Sequence, residues 1–537
     1  MDTQQPTFEQ LAGKQFGQLT AAERKLLQAA PRGEFAYCGP ANKGPEAPEN
    51  DPAQATTWGK EREIRADLIR WLCADREVSS RIDPMGIQVV ARISGKLNLS
   101  CVTVQFPLRF ICCRFLEDMA LDEAALKSFC LDRSRTMAIS ADSIRVAGNL
   151  YLRSGFNAEG KVHLRGADIA GNLECDNASL ENPTGIALNA NDAKVHRAIF
   201  LRNGFHAEGE VNLVKAEIGH LDCTKGSFGA SSCGLNADSA SIRGSVFLDA
   251  FCARGIVRFV RARIGGDLSL IGANLAEAHF RAQRADIKGG LFYQKIKTGN
   301  CTMIDFSGAS ASALDDDLAS WPMPGNLDLD GFVYNYLRNP GDARRRLEWL
   351  RRQLPIDHAQ RREHFRPRPY QQLAKVLRDA GYEREARRIL IGFQRDRDRY
   401  EHFGLLMKIG RAMYHQIDYG YDPRRGASIM SAVVILLGWL LIGAGSETGL
   451  MVPTKTSVSP PTLIPLLHSL DTFLPIHAFR QQESWWPRAE TWQWCFCGPS
   501  MWPWGYLLQI WVVTEIFIGW ILTALIVAGF AGIVRRE

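Results

Sequence analysis

No two cysteines stand at CxxC spacing, and no Cys/His cluster has the spacing of a zinc site. No strand-like run leads through GxGxxG into a helix, so a dinucleotide-binding fold has no signature. The thirteen cysteines form no disulfide framework either. Eleven of them, Cys38 to Cys301, are scattered singly or as the adjacent pair Cys112 and Cys113, where Leu or Val would serve equally. They read as buried reduced thiols in a reducing compartment. The opening MDTQQPTFEQLAGKQ lacks the basic start and apolar core of a secretory signal, so the N-terminal bulk is expected in the cytoplasm. With no catalytic, cofactor or metal motif in view, those three site sets are expected to be empty. An enzymatic role is disfavoured for the same reason.

What the sequence has is a repeat. A chain of 537 residues is too long for one core, so three or four domains are expected. The pattern A-x-[IV]-x-G-x-[LVI]-x-[LCY] recurs as ARISGKLNL at Ala91, ADIAGNLEC at Ala167, AKVHRAIFL at Ala193, ASIRGSVFL at Ala240, ARIGGDLSL at Ala262 and ADIKGGLFY at Ala285. Weaker copies lie around Ile144 and at Ala216 (AEIGHLDC), so that from Ile144 onward starts fall 22 to 26 residues apart. A half-unit, GFNAEGKVHL at Gly155 and GFHAEGEVNL at Gly204, recurs every other coil. Such a period means stacked units, and the apolar/polar alternation within each is that of a strand. The glycine suits a tight corner. Residues 85–337 are therefore expected to form a parallel β-solenoid of about nine to eleven coils, in a chain that is mainly β with α.

Solenoid ends must be covered. Residues 1–84 are expected to form a helical N-terminal cap. LTAAERKLLQAAPRG has an N-cap at Thr20 and stops at Pro31 and Gly33, and EREIRADLIRWLCAD sets Ile64, Leu68, Trp71 and Leu72 on one face. At the far end, Asn326, Asp328, Asp330 and Gly331 resemble the start of an EF-hand. Leu337 takes the place of the bidentate Glu, so a terminal strand is the better reading.

Residues 338–426 change character. Asp342 to Arg425 holds 21 Lys/Arg against 12 Asp/Glu, an excess of 21 − 12 = 9 where the whole chain has +6. One helix is expected with Leu347, Leu350 and Leu354 on its apolar face, then a helical hairpin turning at Gly381. Its two stripes are Tyr370, Leu373, Ala374 and Leu377, then Ala386, Ile389, Leu390 and Phe393. Interleaved acids and the lack of an aromatic-rich recognition motif make nucleic acid an unexpected partner for this basic collar. Anionic lipid headgroups, or internal ion pairs, fit better.

Residues 427–537 read as a two-helix transmembrane hairpin. The expected spans are 427–445, which carries no charge, and about 506–534, which is long enough to tilt. Lys408, Arg411, Arg424 and Arg425 precede the first and Arg535 and Arg536 follow the second, while 446–503 carries only Lys455, Arg480 and Arg488. The positive-inside rule then puts both termini in the cytoplasm and the loop outside. His468 and Asp471 lie three apart in an apolar stretch too short to cross, expected to rest at the interface or to dip in and return. Trp485, Trp486, Trp492, Trp494, Trp502 and Trp504 suit an aromatic belt, and Cys495 and Cys497 are placed for an intermolecular disulfide.

LTAAERKLLQAAPRGE, DPAQATTWGKEREIRADLIRWL and the GxLxLxxAxI coils resemble bacterial membrane proteins with a solenoid of pentapeptide-like repeats, commonly described as membrane-associated oxidoreductases. RPYQQLAKVLRDAGYEREARRILI and the tail SLDTFLPIHAFRQQESWWP … GWILTALIVAGFAGIVRR are similar to C-terminal modules with a two-helix layout like that of an ion channel. The resemblance covers nearly the whole chain and implies an inner-membrane protein. Its oxidoreductase label meets no redox motif here, and the loop holds no TVGYG-type filter.

Glu515 is the acid that the apolar tail must accommodate, at a cost of about 2.5–3.5 kcal/mol on insertion scales. Leu508, Trp511, Gly519, Leu522 and Ile526 share its helical face. Ala524, Ala528 and Gly532 form a small-residue stripe on roughly the opposite side, suited to helix packing. Three readings stand: an anchor whose acid lies near the outer interface, protonated or bonded to Gln509 or the loop; part of a pore or its gate; and, least favoured, a catalytic acid. Since two helices cannot enclose a pore, the second requires a homo-oligomer. The expected function is a membrane-tethered binding or sensing scaffold for an unknown protein or small-molecule ligand of the solenoid, coupled to that channel-like part.

Overall fold

The structure is a computed structural model that describes residues 6–40, 43–44, 47–230, 232–355, 365–400, 423–454, 462–476, 479–488, 492–493, 501–502 and 504–530. The chain divides into two units, Met1–Ile389 and Leu390–Glu537.

The repeat folds as its period demands. It forms a parallel β-solenoid of about eleven coils of roughly 23 residues. Each coil adds a rung to two sheets, and every pairing in both is parallel. The apolar pattern sets the register: Ile169, Val195, Ile218, Ile242, Ile264 and Ile287 lie one above the next. All six are buried, as is the alanine that opens each of their coils. Aromatic side chains stack along the axis too, with Phe205, Phe228 and Phe251 at centroid spacings of 5.5 and 5.8 Å. Each fully buried Ile, Leu or Phe contributes about 1.5–3 kcal/mol, so the axial stacks are the chief source of cohesion.

The corner glycines serve close approach between coils, not unusual dihedrals. A Cβ on Gly265 would collide with the Arg243 carbonyl one coil back, and apart from Gly95 in the first coil, with φ 83°, none of these glycines has positive φ. Left-handed backbone falls instead on the residue before each opening alanine, at Asp192, Lys215, Ser239, Arg261 and Arg284, with φ from 54° to 58°.

The longest helices of the N-terminal cap are α1 (Phe8–Phe16), α2 (Ala21–Ala29) and α3 (Ala66–Ala74). Thr20 and Glu23 form the expected N-terminal cap of α2 as a reciprocal box. Two expectations need correction. Ile64 lies on a strand, Glu63–Arg65, which pairs with Arg92–Ser94. Phe35–Tyr37 likewise pairs with Ile87–Val90, so both sheets begin before Met85. An uncovered parallel edge offers a row of unpaired N–H and C=O groups, and these short extended segments satisfy it.

At the other end Leu327–Asp328 and Val333–Leu337 are the last rungs. The helix α4 (Ala343–Arg351) follows, with Leu350 and, beyond it, Leu354 buried as expected. Arg346 is not on a solvated face: its guanidinium makes two 2.8 Å bonds to Asp316, and both side chains are buried. The Trp321 indole N–H donates to the same carboxylate at 2.6 Å. Next come α5 (Arg368–Asp379) and α6 (Glu383–Tyr400), turning at Gly381 with φ 84°. Tyr370, Leu373, Ala374 and Leu377 are buried as the stripe predicted, and Gln372 donates to the Tyr334 carbonyl of the last rung.

In the second unit, α7 (Pro423–Glu447) and α10 (Trp504–Phe530) contain segments long and apolar enough to cross a membrane, Gly426–Glu447 and Trp504–Ala528. Between them in sequence lie α8 (Pro465–Phe473) and α9 (Gln481–Ser484), and Met451–Pro453 pairs antiparallel with Trp485–Pro487.

Candidate functional site

Helix α8 packs against both apolar helices, inserted alongside their middle. Its sequence explains its length: Pro465 starts it, Phe473 ends it, and Leu474 is extended ahead of Pro475. The chain then turns back at once. Both Asp471 carboxylate oxygens accept backbone N–H groups from the returning chain, from Phe479 at 3.0 Å and from Gln482 of α9 at 3.1 Å. His468 bonds the Trp485 carbonyl through Nε2 at 3.1 Å and approaches Thr472 Oγ1 through Nδ1 at 3.3 Å. The neutral tautomer with its proton on Nε2 satisfies both contacts, Thr472 then donating to Nδ1. The expected pair is therefore brought onto one short buried helix, where it ties down the returning chain.

Glu515 is fully buried by this helix. Eleven residues separate it from Trp504 and thirteen from Ala528 (515 − 504, 528 − 515), the bounds of the apolar segment. It thus sits at mid-length and not near an end. Gln509 is engaged elsewhere, donating to the Pro487 carbonyl at 2.8 Å. The Glu515 partner is Ser469 of α8, whose hydroxyl also lies 3.0 Å from the Ile435 carbonyl of α7. One hydroxyl proton can serve two acceptors only as a weakened three-centre bond. Both contacts reach full strength together when Glu515 carries a proton, donates it to Ser469, and Ser469 donates to Ile435. Oε2 of Glu515 and the indole N–H of Trp511, one turn earlier, are neighbours without hydrogen-bond geometry between them.

Glycine makes the crowding possible. A Cβ on Gly438 of α7 would strike the Glu515 carboxylate and the Ser469 hydroxyl. A Cβ on Gly519 would strike the Phe473 carbonyl at the end of α8. Gly519, Leu508 and Leu522 share the buried face with Glu515 as expected, together with Val512. Ala524 is exposed and Ala528 half-buried, and Gly532 lies outside the described residues, as do Cys495 and Cys497. Ser469, Ile435 and Gly438 escaped sequence reasoning, because nothing in their local pattern says that α8 and α7 meet Glu515.

Seven of the eleven described cysteines are buried as expected, whereas Cys101, Cys252 and Cys301 are exposed and Cys233 is half-buried. Burial pushes the Cys73 and Cys130 thiols up to about 12, so neither supplies a thiolate at neutral pH.

No protein-family model, curated protein or solved structure matches this chain.

Proposed function

We propose that this protein is a membrane-tethered β-solenoid scaffold of the bacterial inner membrane, in which the solenoid binds or senses a ligand and an oligomeric hairpin acts as the channel-like element it controls. The observation that carries the reading is the short helix α8, packed against both apolar helices and bonded to a fully buried acid at mid-length. A simple anchor requires neither feature. Non-helical backbone at membrane depth is tolerated only where protein or a water-filled cavity surrounds it, and an intramembrane acid marks a pathway or relay more often than an anchor.

The outward faces fit a lipid environment: Ile429, Val433, Leu436 and Leu440 on α7, and Ile510, Phe517, Ile521 and Val527 on α10, are all exposed. Ala524 and Ala528 offer a small-residue surface to a second copy. The charge asymmetry puts both termini in the cytoplasm, with the collar arginines facing anionic headgroups.

The test is ion flux through liposomes carrying the full-length protein and its Glu515→Gln variant, with particle mass measured on the same samples. Glutamine keeps the volume and can donate to Ser469 but cannot release a proton. The reading expects oligomers above the 59.9 kDa of one chain and a several-fold change in flux in the variant. Silent monomers of both proteins would instead leave a scaffold on a plain anchor.

A further inference from the structure

One coil of the solenoid is short at its corner. From Val146 to Leu291, paired strands are joined by three residues in every coil but one: Ala170, Gly171 and Asn172 join Ile169 to Leu173, and Arg243, Gly244 and Ser245 join Ile242 to Val246. Between Ile218 and Leu221 there are only Gly219 and His220. The ladder shifts register there, between Val195 and Ala198 of the preceding coil. A missing residue in a stacked corner leaves a notch. The structure has an open depression of about 470 Å³ at this place, lined by His196, Arg197, Gly219, His220, Arg243 and Gly244.

The lining is cationic and partly uncommitted. Arg197 is exposed and makes no side-chain hydrogen bond or ion pair among the described residues. Arg243 is exposed, and its guanidinium meets only the His196 carbonyl, not a carboxylate. His220 accepts the Ser245 N–H on Nδ1 at 3.1 Å, so that in the neutral ring Nε2 is the donor. The imidazole lies over Gly244, where any Cβ would collide with it. Of the two nearby acids, Asp168 bonds His196 at 3.0 Å and Glu217 pairs with Lys194 at 3.7 Å. Some solenoid arginines are held by carboxylates, as Arg202 is by Asp176 and Asp222 and Arg258 by Asp238, and others such as Arg145 and Arg263 are not so held among the described residues, so it is the grouping at the notch that sets Arg197 and Arg243 apart. The notch thus presents two guanidinium groups and an imidazole beside the Gly219 backbone, with Gly244 lying under the imidazole.

We infer that this notch is a binding site for a phosphoryl group, held by Arg197, Arg243 and His220 over Gly219. Planar guanidinium forks match the oxygens of a tetrahedral phosphate, and charge-assisted bonds of this kind are roughly twice as strong as neutral ones. No Phe, Tyr or Trp side chain lines the notch to offer a base a large stacking face, so the recognised chemistry is the phosphate itself. Both a free phosphate compound and a lipid headgroup carry it. The inference rests on the reading of the solenoid as a binding element and is independent of the hairpin.

The experiment uses the full chain in phosphatidylcholine nanodiscs, titrated with inorganic pyrophosphate in a calorimeter. In parallel, its binding to phosphatidylcholine vesicles is compared with and without a minor fraction of phosphatidic acid. Saturable pyrophosphate binding that weakens about tenfold or more in Arg197→Gln/Arg243→Gln supports the site with a soluble ligand. Binding only to the phosphatidic acid vesicles, lost in the same variant, supports it with a headgroup. A second variant inserts one alanine between Gly219 and His220, restoring the corner length of the neighbouring coils while keeping every charge, and is expected to abolish binding. Arg165→Gln, outside the notch, is the control. Binding that survives both notch variants, or no binding to either probe with an intact circular-dichroism melt, overturns the inference and leaves the hairpin reading untouched.

Discussion

Single side chains decide two matters here, the seal at the solenoid end and the packing around Glu515. Asp316 is buried with no exposed side-chain surface, and Arg346 and Trp321 are its partners. Arg346→Ala would leave that carboxylate buried and unpaired, which typically costs about 3–5 kcal/mol. We expect chemical denaturation of the full-length protein to show the loss, while Arg344→Ala, on the same helix but with its side chain largely exposed, changes stability by less than about 0.5 kcal/mol. The Arg346 role was not legible in DARRRLEWLRRQL, since helical periodicity says which residues share a face but not which polar one finds a buried partner. Glu515 was legible as an anomaly, because an acid in an apolar run stands out on composition alone. Its partner was not.

Among the elements, α8 and α2 each carry a test. The close approach of α8 to α10 depends on Gly519, whose added methyl would meet the Phe473 backbone and not a movable side chain. Gly519→Ala is expected to destabilise the second unit by about 1–3 kcal/mol and to alter flux, whereas Ala524→Gly on the exposed side has little effect on the packing of α8. A thermal melt alongside the flux assay checks both. Helix α2 is tied to the first rung through Glu23. Burial pushes the Glu23 carboxyl up, but the Arg65 guanidinium and the N–H groups of Thr20 and Arg65 outweigh it and hold the carboxyl below its ordinary 4.5. A carboxylate with a depressed native pKa contributes stability above its unfolded value, and loses it as pH falls through the native value. The melting temperature should therefore drop below pH about 4.5, with a shallower drop in Glu23→Gln, as circular dichroism would record. Elements with strong local signals were readable in advance, the capping box at Thr20 above all. Ile64 was misplaced on a helix because the pairing that makes it a strand lies 29 residues away, at Ile93.

For the whole molecule, cohesion comes from neighbour-to-neighbour stacking, so the solenoid should behave as a one-dimensional array. Deleting residues 262–284 removes one unit of 285 − 262 = 23 residues and brings Ile287 onto Ile242 in the register that Ile264 now holds. The shortened protein should keep its β-sheet circular dichroism and a cooperative melt. Deleting half that length should not, because a partial coil shifts every later side chain relative to its stack.

The sequence alone determined the solenoid, its coil length and its two apolar helices, because each is written as a period or a run that short-range chemistry enforces. Only the tertiary structure decided where the unusual residues meet. Ser469 and Glu515 are 46 residues apart, and Arg197 and Arg243 line one notch because the coil between them is a residue short. A periodic pattern specifies how neighbouring units stack, but a contact between distant side chains exists only once the chain has closed around it.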